Sequence, residues 1–222
     1  MLLQVVSRKA IDVAMATRVT NWARAETVVS KWVARKSKVK SMADHYPTGR
    51  RAHISRGDLL VATPQLSTQP WRKSVVFITE ANSRSIMGTI LNQPTLMTTY
   101  DVTDLDIPNN RIYMGGPIST HAMFMLHTSD FVSSNTLEVT DSWSVSSDTL
   151  MFEKLSIGDQ PVWHRMYMGA ASWQPQQLEN ELSRRSWMII NKPSFVLVTQ
   201  EPEDLWQECI DHISNSMFEN YI

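Results

Sequence analysis

His127, Ser147 and Asp148 are the side-chain types of a hydrolytic trio: a general base, a nucleophile and a carboxylate to orient the base. No local spacing brings them together, so that chemistry depends on the fold. The densest polar stretch is GAASWQPQQLENE, residues 169–181. Its Glu179 and Glu181 are two apart and do not share a helix face, so they are not an acid/base pair. Residues 163–168 read as a strand and 169–173 as a turn out of it, with Trp173 as an apolar plug. Pro175 suits the first turn of a helix, where a missing N–H costs nothing. Leu178 and Leu182 follow as an i, i+4 apolar pair facing a core. The stretch reads as a strand-to-helix seam, not a catalytic loop.

Other polar residues have equally plain readings. Asn92, before Pro94, reads as a turn residue bonding its own backbone. Ser147 and Asp148 read as a helix cap, with Ser147 as the capping residue. Arg72 and Lys73, beside Ser74, are two bases that could contact a phosphate or an acidic partner; such a pair is more often a solvated turn. Cys209 is the one cysteine, so no internal disulfide forms and a reducing compartment is the natural setting. It reads as a half-buried helix residue whose neighbours Glu208 and Asp211 raise the thiol pKa. The six histidines form no H-x-x-x-H or H-E-x-x-H pair, and no P-loop, G-x-G-x-x-G or G-x-S-x-G sequence occurs. No cofactor and no metal are expected.

The elements that position these residues are short apolar runs between turn signals. Strands are expected over 58–63, 74–79, 87–91, 111–114, 123–127, 137–140, 163–168 and 195–199. Helices are expected over 147–157, 176–183 and 203–216. Strands come early and helices late, which is an α+β pattern.

The net charge of −1 hides an asymmetry. Residues 1–56 hold twelve Lys/Arg against three acids, or +9, and residues 57–222 hold nine against nineteen, or −10. The basic part reads as one long amphipathic helix over 1–41. Ile11, Met15, Val19, Trp22, Val29 and Val33 line one face, and Lys9, Arg24, Lys31, Arg35 and Lys38 the other. This arm lies on the body, or binds nucleic acid or an anionic surface, or is a transit peptide, or precedes a true start at Met42. Residues 42–56 read as a linker, with Pro47 and Gly49 as punctuation. The remaining domain spans 57–222. No transmembrane segment is expected and the location is cytoplasmic, or an organelle if the arm is a transit peptide.

Read in order, GDLLVATPQL (57–66), WRKSVVFITE (71–80), GTILNQP (88–94), YMGGPI (113–118), MLH (125–127), SSD (146–148) and the 169–181 stretch form a series. This series resembles the AlgH/YqgE family, bacterial proteins labelled transcriptional regulators. The resemblance covers about three quarters of the chain and leaves the arm outside. Gly57, Leu59, Leu60, Ala62 and Pro64 match one of the family's patterns. Lys73, Ser74 and Val75, with Arg72 adjacent, match its arginine-serine-valine strand. Gly88, Asn92 and Pro94 match a third, Gly115, Gly116 and Pro117 a fourth, and Leu126 with His127 a fifth. Gln177, Leu178 and Glu179 match its glutamine-leucine-glutamate, after Trp173. The chain departs from the family at Ala81, which stands for a histidine after Glu80. It departs again at Ala170, Ser172 and Gln176, which stand for a tyrosine and two glycines.

The resemblance implies a strongly curved, barrel-like, mostly antiparallel sheet flanked by helices, with the amphipathic arm added at the N-terminus. It brings a regulatory label and no described reaction. The leading expectation is a non-enzymatic regulatory or binding protein with an unidentified protein partner. Arg72, Ser74, Glu80, Asn92, His127, Asp148, Trp173, Gln177 and Glu179 are its candidate binding residues. Arg24, Lys31, Arg35, Lys36, Lys38 and Lys40 are candidate contacts to nucleic acid, bound without sequence specificity, or to an anionic surface. The alternatives are a hydrolase with a polar cleft near His127, or an assembly protein docking through the arm.

Overall fold

A computed structural model describes residues 54–219. The expected arm helix and most of the linker lie outside the described residues. The described chain is α+β and contains ten strands: β1 (Leu59–Ala62), β2 (Val75–Ala81), β3 (Ile86–Ile90), β4 (Pro94–Thr98), β5 (Arg111–Met114), β6 (Ile118–Thr128), β7 (Thr136–Glu138), β8 (Trp143–Ser146), β9 (His164–Trp173) and β10 (Trp187–Ile190). Four α-helices accompany them: α1 (Thr149–Ser156), α2 (Pro175–Ser183), α3 (Phe195–Thr199) and α4 (Pro202–Glu219).

The strands form one curled sheet in the order β10-β1-β2-β3-β9-β6-β8-β7, with β4 paired to β5 and β5 to β9. All pairings are antiparallel except β5 with β9. Strands β1 and β2 are apolar on both faces because both faces are covered. Leu59, Val61, Val75 and Phe77 point into one core with Val198 of α3 and Leu205 and Cys209 of α4. Their alternates Leu60, Ala62, Val76 and Ile78 point into a second core with Trp173, Trp187 and Leu178 of α2. A third core packs Met151, Phe152 and Leu155 of α1 on Ile112, Met125 and Met166.

Two expectations are corrected. Residues 169–173 are not a turn: β9 runs on to Trp173, with Ala171, Ser172 and Trp173 opposite Gly88, Met87 and Ile86 of β3. Gly169, at φ +74°, bends the strand without ending it. Residues 195–199 are a helix, not a strand, because the Ser194 hydroxyl caps the Leu197 N–H (3.3 Å). The edge beside β1 is filled by β10, which pairs Leu59 to Ile190 through Ala62 to Trp187. Strands β4, β8 and β10 are too short, or too proline- and serine-rich, to stand out by alternation.

The β5–β6 connection crosses β9 at closest range. A Cβ at Gly115 would overlap the Gly169 carbonyl and the Thr89 hydroxyl, and one at Gly116 the backbone of Ala170. Gly115→Ala is therefore expected to cost about 3 kcal/mol or more of unfolding free energy, measured by urea denaturation of the full chain. A loss below about 0.5 kcal/mol would show that this crossing yields freely.

Candidate functional site

Arg72, Ser74 and Asn92 come together. Ser74 is buried and its hydroxyl donates to the Trp71 carbonyl (2.8 Å). Asn92 follows β3, whose Ile90 lies opposite Val76, so its side chain reaches the start of β2. Its Oδ1 accepts the Val75 N–H and its Nδ2 donates to the Lys73 carbonyl, both at 2.9 Å. Asn92 thus ties two segments and does not bond its own backbone as a turn residue would. The adjacent Gln93 amide donates to the Pro70 carbonyl. The loop ending at Ser74 is pinned from within and from the β3–β4 turn.

That pinned loop presents Arg72 and Lys73 to solvent. Lys73 holds a left-handed φ of +53°, and its ammonium sits 5.0 Å from the Trp206 ring centroid on α4. Trp206 is fixed in turn, its indole N–H donating to the Ala62 carbonyl (2.8 Å). Arg72, Lys73, Asn92, Gln93 and Pro94 face Pro202, Glu203, Trp206 and Gln207 across a cleft of about 260 Å³. The first turn of α4 opens near it, but Glu203 and Asp204 already answer its dipole. Two cations, Arg72 and Lys73, and one carboxylate, Glu203, are the charged groups lining the cleft.

Trp173 and Gln177 form a second group around a residue that the sequence reading set aside. Trp173 and Trp187 both donate their indole N–H to Glu181 Oε2 (3.1 and 2.8 Å), and Gln177 donates to Oε1 (2.9 Å). Trp71 completes the cluster at 5.4 Å from Trp173 and 5.7 Å from Trp187. The i, i+4 spacing of Gln177 and Glu181 was the available signal. Glu179 is half-buried on the same helix. Glu80 stands apart near the β2–β3 hairpin, where it accepts the Asn82 amide.

His127 and Asp148 belong to one hydroxyl network but do not touch. His127 Nδ1 donates to the Thr128 carbonyl (2.8 Å), which leaves Nε2 to accept from Ser146 Oγ (2.9 Å). Ser146 meets Thr136 Oγ1 (2.7 Å), Thr136 accepts the Ser133 N–H (2.7 Å), and the Ser133 hydroxyl donates to Asp148 (2.6 Å). Asp148 also accepts the Asn135 N–H (2.6 Å) and the Met151 N–H (3.0 Å). Asp148, not Ser147, is therefore the cap of α1. Ser147 instead accepts the Asn135 amide (2.9 Å). The serine at base distance from His127 is Ser146, but both are 0% exposed and the carboxylate faces elsewhere. The network fastens the β6–β7 loop to β8.

Burial holds the His127 ring below its ordinary 6.5, against the opposing pull of its bond to the Thr128 carbonyl. His164, directly opposite on β9, is lowered by burial as well. Burial pushes the Cys209 thiol up to about 12, with the charge of Glu208 adding to it. Cys209 is fully buried, not half-buried as expected, and stays a thiol. Among the described residues no cluster of three His, Cys, Asp or Glu is placed to hold a metal ion. Arg24, Lys31, Arg35, Lys36, Lys38 and Lys40 lie outside the described residues.

A histidine whose folded pKa is depressed binds its proton in the unfolded chain first. Its stabilising contribution is full above about 6.5 and is lost as pH falls below that value. Melting temperature is expected to drop from pH 7.5 to pH 5.5, and to drop less in His127→Gln. Asn92→Ala, which strands the Val75 N–H and the Lys73 carbonyl, is expected to cost about 1–3 kcal/mol in urea unfolding.

The fold can be set beside known proteins. A family model described as AlgH-like matches residues 59–217. A UPF0301 protein of Marinomonas sp. is 31% identical over 158 residues, covering 68% of this chain and 84% of that protein. A UPF0301 protein of Methylococcus capsulatus is 26% identical over 163 residues, 70% of this chain and 90% of that protein. The solution structure of the AlgH protein from Pseudomonas aeruginosa has the same fold, with a TM-score of 0.61 at 24% identity over 78% of this chain and 93% of that one. With a match over residues 59–217 and the same curled sheet, the chain belongs to the AlgH-like family.

Proposed function

We propose that the protein works by binding a macromolecular partner in a regulatory role, not by turnover. The observation that carries this reading is the use made of the polar candidates. Asn92, Ser74, Asp148, Trp173, Gln177 and His127 each serve a cap, a loop tie or an indole clamp. What they leave facing solvent is a pinned pair of cations, Arg72 and Lys73, on a body of net −10. Such a pair suits an acidic group on a protein partner. A body of that charge repels phosphate, so nucleic acid, if it is the partner, is held by the basic residues 1–41.

Titration of the full chain into a labelled DNA duplex at several salt concentrations separates these surfaces. Binding through residues 1–41 is expected to be insensitive to sequence. Its log–log salt slope is expected to fall by about 2–3 when Lys31, Arg35 and Lys38 are changed together to Gln. Binding that ignores those changes and is lost in Arg72→Gln/Lys73→Gln would place the contact at the cleft instead. No binding at low salt removes nucleic acid from the reading and leaves the protein partner.

A further inference from the structure

An apolar surface with an acidic border lies where the chain enters the body. Val162 and Val196 are 83% and 71% exposed, and Phe195 is 46% exposed. Phe195 stacks on Trp143 at 5.4 Å, and Trp163, next to Val162, packs edge-on against the same ring at 5.4 Å. Asp130, which accepts the Val162 N–H (3.0 Å), is exposed there. Glu138 and Asp141, in the hairpin that carries Trp143, are exposed too. The entering segment lies against this same hairpin and the approach to α3. Arg56 donates to the Glu138 carbonyl (3.4 Å), and Gly57 is so close to Thr140 that a Cβ would meet its Cγ2 at 2.5 Å. Asp58 accepts the Asn191 amide (2.8 Å) and the Lys192 N–H (3.1 Å), three residues before Phe195.

We propose that this surface is the docking site, in cis, of the apolar stripe in residues 11–33 of the same chain. Ile11, Met15, Val19, Trp22, Val29 and Val33 supply the apolar face that Phe195, Val196 and Val162 lack. Arg18, four before Trp22, and Lys36, three after Val33, border the stripe and meet Asp130, Glu138 and Asp141. The twelve residues 42–53 form the tether, and extended they span up to about 40 Å, enough for the placement. A tether of this kind sets an effective concentration on the order of mM, so a patch of modest affinity stays covered. Lys9, Arg24, Lys31, Arg35 and Lys38 then face away and give an acidic body a basic outer surface.

Hydrogen exchange on the full chain reads this directly. Amides in residues 11–33 are expected to be protected at about 0.05 M salt, independently of protein concentration, and less so at about 0.5 M. Val162→Asp/Val196→Asp changes two exposed side chains and is expected to speed their exchange about tenfold while the body's protection is unchanged. Leu96→Asp, at an exposed apolar residue of β4, is expected to leave both unchanged. Exchange of residues 11–33 at unfolded-chain rates in the unaltered protein overturns the proposal. So does protection that the double variant leaves intact. Protection that scales with protein concentration overturns it in favour of a second copy.

Discussion

The body depends on one crossing of backbones. At Gly115 and Gly116 the β5–β6 connection runs against β9 so closely that no side chain fits between them and Gly169. This approach lets one strand serve three neighbours. The first half of β9 pairs with β5 and β6, and the half after the Gly169 bend pairs with β3. Opposite halves of the curled sheet are joined there, with Gly115 N–H donating to the Met168 carbonyl (2.7 Å) and its own carbonyl accepting from Ile90 (2.8 Å). The helices cover the faces this curvature creates: α2 over the tryptophan cluster, α4 over β1 and β2, α1 over the methionine-rich third core.

Polar groups inside such a body must be satisfied by one another. That requirement explains why the residues with most chemical promise do framework jobs. Ser146 and His127 sit at the distance a nucleophile and a base would need, yet both are enclosed and the Asp148 carboxylate is spent on Ser133, Asn135 and Met151. Glu181 satisfies two indole N–H groups that would otherwise be stranded next to an apolar core. The same economy around Asn92 leaves Arg72 and Lys73 facing outward on a loop whose backbone is tied.

Legibility in the sequence followed periodicity. The apolar runs of β1, β2, β3 and β5 and the helices α1, α2 and α4 were readable because burial on one or both faces imposes a pattern. The 169–173 segment was not, because a glycine signals a turn and only the pairing with β3 shows that the strand continues. The 195–199 run was misread because its valines favour a strand, and a single serine cap with a buried Val198 decides otherwise. Among the polar candidates, Arg72 and Asn92 stand out by their motifs, and the tie from Asn92 to the Arg72 loop is visible only in the fold. Ser146, Glu181, Gln93 and Trp206 act through contacts distant in sequence, which no local spacing encodes.

The central claim is that the hydroxyl network around His127 serves as framework, tying the β6–β7 loop to β8. It is tested most directly by incubating the full chain and Ser146→Ala with an activated ester such as p-nitrophenyl acetate, near-UV circular dichroism confirming that both are folded. The expected result is a rate no higher than buffer for either protein. Turnover by the unaltered chain that disappears in Ser146→Ala would contradict the claim and restore an enzymatic reading of the site.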